Sequence, residues 1–302
     1  MITFIFGAGA SYGSGMTVPY NPPLGNYLFN NLVSLNGEFS RLSKKSRDVF
    51  EQYGFEDGMA TISNDSQIIN PLQKEIACYL SKFQVTNENA YTRLFNKIRN
   101  LMPKVNVVTL NYDTLIEQAL ALNHYHTDYN GSGYGVTVLK PHGSSNFLPK
   151  IPTGSSFENI TAVGCRTFFE GLQTDAVSTC DEVKQWCNNP QNGSLSPVLS
   201  MYEKGKRVVI NTELINNIQN KYKSVISESN LVVLIGIKYI PDDTHILQPL
   251  ENNNSFLLVV DPYPEEINEW IKKTGKKNTK VIQSGFSDSV WEITKSIRKY
   301  CE

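Results

Sequence analysis

Five short stretches carry residue types that do chemistry. His142 lies between a proline and a glycine in KPHGSSNF (Lys140–Phe147). A neutral imidazole near physiological pH is a ready general base, and the proline fixes the backbone that carries it. TLNYD (Thr109–Asp113) offers Asn111, an amide that both donates and accepts, suited to a carboxamide or a positioned water. Asp113 adds a carboxylate two residues on, which serves equally well as the cap of a following helix. In FGAGAS (Phe6–Ser11), Gly7 and Gly9 lack a Cβ, so backbone N–H groups can approach a pyrophosphate beside Ala8, and Ser11 adds a hydroxyl. The stretch is neither a full G-x-G-x-x-G nor a Walker A loop, and a plain tight strand-to-helix turn accounts for it too. In LVVLIGIKYIPDDTHI (Leu231–Ile246), Gly236 would let the backbone lie against a nucleotide, while Asp242 and Asp243 either cap a helix or touch a ligand. In LLVVDPYP (Leu257–Pro264), Asp261 stands where an acid meets ribose hydroxyls.

The remaining histidines and the cysteines point elsewhere. His124 and His126 sit at a polar helix end, and His245 lies in a helical turn after two aspartates. No His, Cys or Asp cluster has metal-ligand spacing, so no metal is expected. Cys78, Cys165, Cys180, Cys187 and Cys301 are odd in number and scattered, without a C-x-x-C pair. That argues for reduced structural thiols, against a disulfide framework and against a zinc ribbon.

The elements that must position these residues alternate. Short, largely apolar runs at 2–6, 105–110, 136–140, 231–235, 256–260 and 280–283 read as strands, with 208–210 as a further short one. Helical spacing covers 24–33, 67–84, 89–102 (capped by Asn87 and stopped by Pro103), 114–122, 213–228, 245–251, 265–273 and 287–299. Such strands alternating with helices predict a parallel sheet covered on both faces, a Rossmann-like doubly wound α/β fold. All five chemical turns then fall on one rim of the sheet, with His142 and Asn111 on the floor of a nucleotide cleft. Residues 1–302 read as a single domain with a helical insertion at 34–102. A second insertion at 144–207, rich in Gly, Ser, Asn and Pro, is irregular, with a short helix near Cys180–Cys187.

Composition bounds the partners. The chain has 302 residues, 40% hydrophobic and 19% charged, enough for a sizeable core, and a net charge of -1. That balance argues against an electrostatic nucleic-acid binder and a polybasic membrane anchor. No apolar run reaches the roughly 18–20 residues of a membrane span. The opening MITFIFGAGAS has no basic region before its short apolar run and reads as a first strand, so a cytoplasmic protein is expected.

GAGAS, TLNYD and PHGS, in that order, resemble the SIR2-like (sirtuin) superfamily, and most of all the zinc-free bacterial members that cleave NAD in antiphage defence. The motifs extend from the first strand to Asp261. The resemblance implies that Gly7, Ala8, Gly9 and Ser11 hold the phosphates of NAD and that Asn111 and Asp113 line the nicotinamide–ribose pocket. It implies that His142 is the catalytic base and that Gly236 and Asp261 meet the adenosine half. Protein-deacylating sirtuins carry four zinc cysteines in two C-x-x-C pairs, absent here. Their GxPDFR stretch is replaced by MTVPY (Met16–Tyr20) and NPPLGN (Asn21–Asn26), without the aspartate and arginine. Both departures weaken a deacylase reading.

What the resemblance implies is an NAD+ glycohydrolase whose output is NAD+ depletion. It also implies homo-oligomerisation, or control by a separate partner such as a HerA-like ATPase. Two other outcomes stay open at the level of sequence. The cleft could serve ADP-ribosyl transfer or deacylation, with residues 144–206 forming an acceptor groove. It could also be a non-catalytic NAD or ADP-ribose sensor, which would need Gly7, Gly9 and Asp261 but not His142.

Overall fold

The structure is a computed structural model that describes residues 1–62, 65–155, 169–200, 210–241 and 243–301. Cys165, Asp242 and positions 208–209 of the expected short strand lie outside the described residues.

Eleven strands are present among the described residues: β1 (Ile2–Phe6), β2 (Thr17–Val18), β3 (Gln84–Val85), β4 (Val105–Thr109), β5 (Thr127–Asp128), β6 (Val136–Leu139), β7 (Phe147–Pro149), β8 (Thr174–Ala176), β9 (Leu231–Ile235), β10 (Phe256–Val260) and β11 (Thr279–Ile282). Seven of them form one sheet in the order β11-β10-β9-β1-β4-β6-β5. Every pairing in it is parallel. β2 with β3 and β7 with β8 make small antiparallel pairs.

Period-two alternation explains why the strands read as unbroken apolar runs. Phe4 and Phe6 join one core layer with Val107, Val233 and Val260, while Ile5 joins the other with Val108, Leu234 and Val259. Both faces are covered by helices, so neither set of side chains meets water. From β1 the chain builds outward through β4 and then crosses back after β6 to start β9 on the opposite flank of β1. The direction of winding therefore reverses between β1 and β9. In open α/β sheets that crevice, at the carboxyl ends of the strands, is where ligands bind. This is the Rossmann-like arrangement expected from the sequence.

Between β2 and β4, apart from β3, the described residues are mainly helical: Gly25–Ser34, Lys44–Tyr53, Phe55–Ile62, Ser66–Leu80 and Ala90–Lys97. The helices Lys44–Tyr53 and Phe55–Ile62 escape the apolar-spacing argument because one buries Phe50 alone and the other contains Gly58. They are held by a cluster of rings instead. Phe29 stacks on Phe50 at 4.4 Å, and Phe39 and Phe55, stacked on each other, both meet Phe50 edge-on. A Cβ on Gly58 would overlap the Phe50 ring, so the glycine is required by packing. The cap of the helix Ala90–Lys97 is Asn89, whose side chain accepts from the Tyr91 N–H, not Asn87 as expected.

In the second insertion, β7 and β8 pair, and a helix spans Cys180–Asn188 behind a reciprocal Thr179–Glu182 capping box. Helices Thr212–Ser227, Thr244–Asn252, Glu265–Thr274 and Phe286–Cys301 complete the second half. No helix among the described residues is long and apolar enough to cross a membrane.

Candidate functional site

The turns after β1, β4, β6, β9 and β10 carry the sequence motifs, and the parallel sheet brings all five to its carboxyl rim. At the point of reversal, contact is backbone on backbone. The Gly7 N–H donates to the Ile235 carbonyl at 3.0 Å and the Gly9 N–H to the Gly236 carbonyl at 2.9 Å. A Cβ on Gly7 would lie 2.5 Å from the Gly236 oxygen, and one on Gly236, whose φ is +59°, would overlap the Ala10 amide. The three glycines are therefore demanded by the close approach of two turns. The Gly7 and Gly9 amides, expected at phosphates, donate across this contact. Ala8 stands exposed at the first position of the short helix Ala8–Tyr12.

Asn111, after β4, reaches into the same loop. Its Nδ2 donates to the Gly7 carbonyl and to the Ser11 hydroxyl, each at 2.9 Å. Ser11 is buried and also lies 3.1 Å from the Tyr91 hydroxyl. Ser11 thus ties the loop inward. Asp113 is buried, and its Oδ1 accepts from the Leu115 N–H at 3.2 Å, so the turn-capping role is realised, although Thr114 occupies the N-cap position. Burial pushes the Asp113 carboxyl above its ordinary range. The Lys140 charge, the Ser11 hydroxyl and the Leu115 N–H pull the other way.

The His142 turn rests on buried polar side chains. Lys140 is fully buried, and its Nζ donates to Glu117 Oε1 at 2.9 Å and to the Asp113 carbonyl at 2.6 Å. Tyr129 donates its hydroxyl to the same Glu117 oxygen and accepts from Asn146. The Ser145 N–H donates to the Tyr112 carbonyl at 2.9 Å, so the turns bearing Asn111 and His142 are bonded directly to each other. Gly143 has φ +78°, and a Cβ there would overlap the Val198 carbonyl of the second insertion. The Ser144 N–H donates to that carbonyl, and the Ser200 N–H donates to the His142 carbonyl. The segment Val198–Ser200 therefore clamps the backbone of the histidine turn.

His142 itself is 4% exposed. Its Nε2 lies 2.9 Å from Nε2 of His245, at the start of the helix Thr244–Asn252. Asp243, also buried, occupies the N-cap of that helix, yet its side chain makes no capping hydrogen bond. One ligand atom from each of His142, Asp243 and His245 falls within 4.8 Å of the others. Spacing in the sequence missed this cluster because its members come from two turns, 103 positions apart. The visible signal was Asp-Thr-His at a helix start. His124 and His126 are exposed, as expected. Asp261 is partly exposed after β10, and its Oδ1 accepts from the Tyr263 N–H at 2.7 Å; burial and then Glu265 and Glu266 raise its carboxyl. A groove of about 350 Å³ lined by Leu148, Ile151 and Trp186 lies on the second insertion and shares no lining residue with the rim.

No family model matches the chain, and no curated protein matches it. Solved structures do. A Sir2 homolog in complex with NAD aligns over 100% of this chain and 90% of its own, with a TM-score of 0.54 and 14% identity. Sir2 in complex with the inhibitor EX-527, 2′-O-acetyl-ADP-ribose and a deacetylated p53 peptide aligns over 99% and 94%, with a TM-score of 0.50 and 13% identity. Identity this low speaks to architecture: the chain has the SIR2-like, Rossmann-type α/β fold.

Proposed function

We propose that this chain is an NAD+ glycohydrolase, converting NAD+ and water to ADP-ribose, nicotinamide and a proton. The observation that carries the reading is the direct bonding of the Asn111 turn to the His142 turn, beside the reversal point of a SIR2-like sheet. A glycine-built backbone contact lies on one side and a buried imidazole on the other. The solved Sir2 homolog complexes with NAD and with an ADP-ribose derivative support this choice of dinucleotide.

The reaction breaks the bond between nicotinamide N1 and ribose C1′, the electron pair leaving on neutral nicotinamide, and forms a C1′–O bond to water. The protein's task is to orient the reactants, stabilise an oxocarbenium-like transition state and take a proton. Neutral His142 accepts that proton from the attacking water, directly or through a ribose hydroxyl, and returns it to solvent. Asn111 has both amide hydrogens engaged by Gly7 and Ser11, so Oδ1 is the atom that would meet the carboxamide or the water. Gly7, Ala8 and Gly9 would frame the phosphates with Ser11 bracing their loop from inside, Asp113 would support the ribose pocket, and Gly236 and Asp261 would flank the adenosine half. No step calls for a metal. We infer depletion of the cytoplasmic NAD+ pool as the output, that of an antiphage effector restrained by homo-oligomerisation or by a HerA-like ATPase.

Incubating the purified chain with NAD+ and identifying products by mass spectrometry tests the reading. Free ADP-ribose and nicotinamide are expected. Modified protein or O-acyl-ADP-ribose would mean transfer, and binding without consumption would mean a sensor. His142→Ala is expected to lose about 10²–10⁴-fold in turnover with its melting temperature retained. Asn111→Ala is expected to lose turnover and to loosen the Gly7 loop as well. Near-normal cleavage by both variants would overturn the assignment.

A further inference from the structure

We propose that His142, Asp243 and His245 form a binding site for a divalent transition-metal ion of the zinc class, and that an ion held there silences the hydrolase. The silencing half rests on the reading of His142 as base. The site itself does not.

Three observations converge. The two Nε2 atoms approach to 2.9 Å. Adjacent ligands on an ion with bonds of about 2.0–2.1 Å stand roughly 2.9–3.4 Å apart, depending on whether the geometry is octahedral or tetrahedral. The two imidazole nitrogens therefore already stand at ligand spacing for such an ion, and the Asp243 oxygen lies within 4.8 Å of both. Second, Asp243 is buried at the start of the helix that carries His245. A carboxylate oxygen lies within 4.8 Å of the two imidazole nitrogens. Third, the donor set is two imidazoles and one carboxylate. That set suits zinc, cobalt, nickel or ferrous iron, whereas calcium and magnesium prefer oxygen ligands. Burial is graded, with His142 and Asp243 enclosed and His245 half-buried, so entry runs along the His245 side.

The three ligands come from the turns after β6 and β9, which the sheet separates by β4 and β1. An ion would therefore join the two flanks of the rim. It would also occupy the His142 nitrogen that otherwise accepts the proton, leaving the water without a base.

The chain, stripped with EDTA, is titrated with Co2+ and followed by visible absorption. One equivalent is expected to bind, with ligand-field bands that Zn2+ abolishes by displacement. Asp243→Asn and His245→Gln are each expected to weaken Co2+ binding by at least about tenfold. A His124→Gln, His126→Gln double variant, altered only at exposed imidazoles, is expected to bind as the parent does. His142→Asn attacks the same ion from the other turn, and thermal melts confirm that each variant is folded. Absence of Co2+ uptake, or equal uptake by the Asp243 and His245 variants, would overturn the site. Zn2+ is expected to stop NAD+ cleavage by the stripped chain and EDTA to restore it. Cleavage that persists at saturating Zn2+, or that requires it, overturns the silencing. A chain that binds Co2+ in this variant-sensitive way but never cleaves NAD+ upholds the site and removes the hydrolase reading alone.

Discussion

The two flanks of the rim are built by opposite means. At β1 and β9 there are almost no side chains: Gly7, Gly9 and Gly236 bring two turns into backbone contact, closed by N–H to carbonyl bonds. At β4 and β6 the turns stand on side chains, and two of them are a buried ion pair, Lys140 with Glu117. The first flank is fixed by excluded volume, the second by electrostatics in a dry environment. A steric cradle fails when any atom is added. A polar scaffold fails when one partner is removed, because the other is left buried and unpaired. Glu117 shows how close to that limit the second flank stands, since its Oε2 has no hydrogen-bond partner among the described residues.

The sharpest way to break the first flank is Gly236→Ala. Left-handed backbone costs a non-glycine residue about 1–3 kcal/mol, and the new Cβ must also displace the Ala10 amide. A loss of roughly 4 kcal/mol or more is expected in urea unfolding, and no second polar substitution should recover it. A value below about 1 kcal/mol would mean that the turn slides freely.

On the second flank, Lys140→Met is expected to cost about 3 kcal/mol, the low end for breaking a buried pair, because Glu117 keeps the Tyr129 hydroxyl. Here rescue is expected. Adding Glu117→Gln removes the stranded charge, so the double variant should be more stable than Lys140→Met alone. A double-mutant cycle measures the coupling. Additive costs would show that the pair is not coupled and would erase the contrast between the flanks.

Much of this architecture is legible in the residues, and the reason is local. A strand buried on both faces leaves no choice but an unbroken apolar run, so Ile2–Phe6, Leu231–Ile235 and Phe256–Val260 announce themselves. Parallel pairing then carries every turn that follows a strand to one rim. What stays hidden is what side chains do once they arrive. Gly7 and Gly9 read as openings for a ligand, yet their Cβ atoms are forbidden by Gly236, more than 200 positions away. Ser11 reads as a donor to phosphate but points inward to Asn111 and Tyr91. Lys140 ends an apolar strand, and nothing near it in the chain reveals that Glu117 holds it. The histidine pair is the extreme case, since no periodicity connects position 142 to position 245.

The smallest effect tests whether the second flank sets the charge state of Asp113. Burial raises its carboxyl above the ordinary 3.8, with Lys140 and Ser11 opposing. Between the ordinary and the raised value, the native chain holds a proton that the unfolded chain has released. The stability this group contributes is therefore complete at pH below 3.8 and is lost as pH rises through the raised value. Asp113→Asn is neutral throughout and keeps an Oδ1 to accept from the Leu115 N–H. The difference in unfolding free energy between variant and parent should accordingly move in the variant's favour as pH climbs from 3.8 through the raised value. Paired urea titrations across that window check the sign. A difference independent of pH would mean that Lys140 and Ser11 offset burial fully, making the second flank electrostatically stronger than its unpartnered Glu117 oxygen implies.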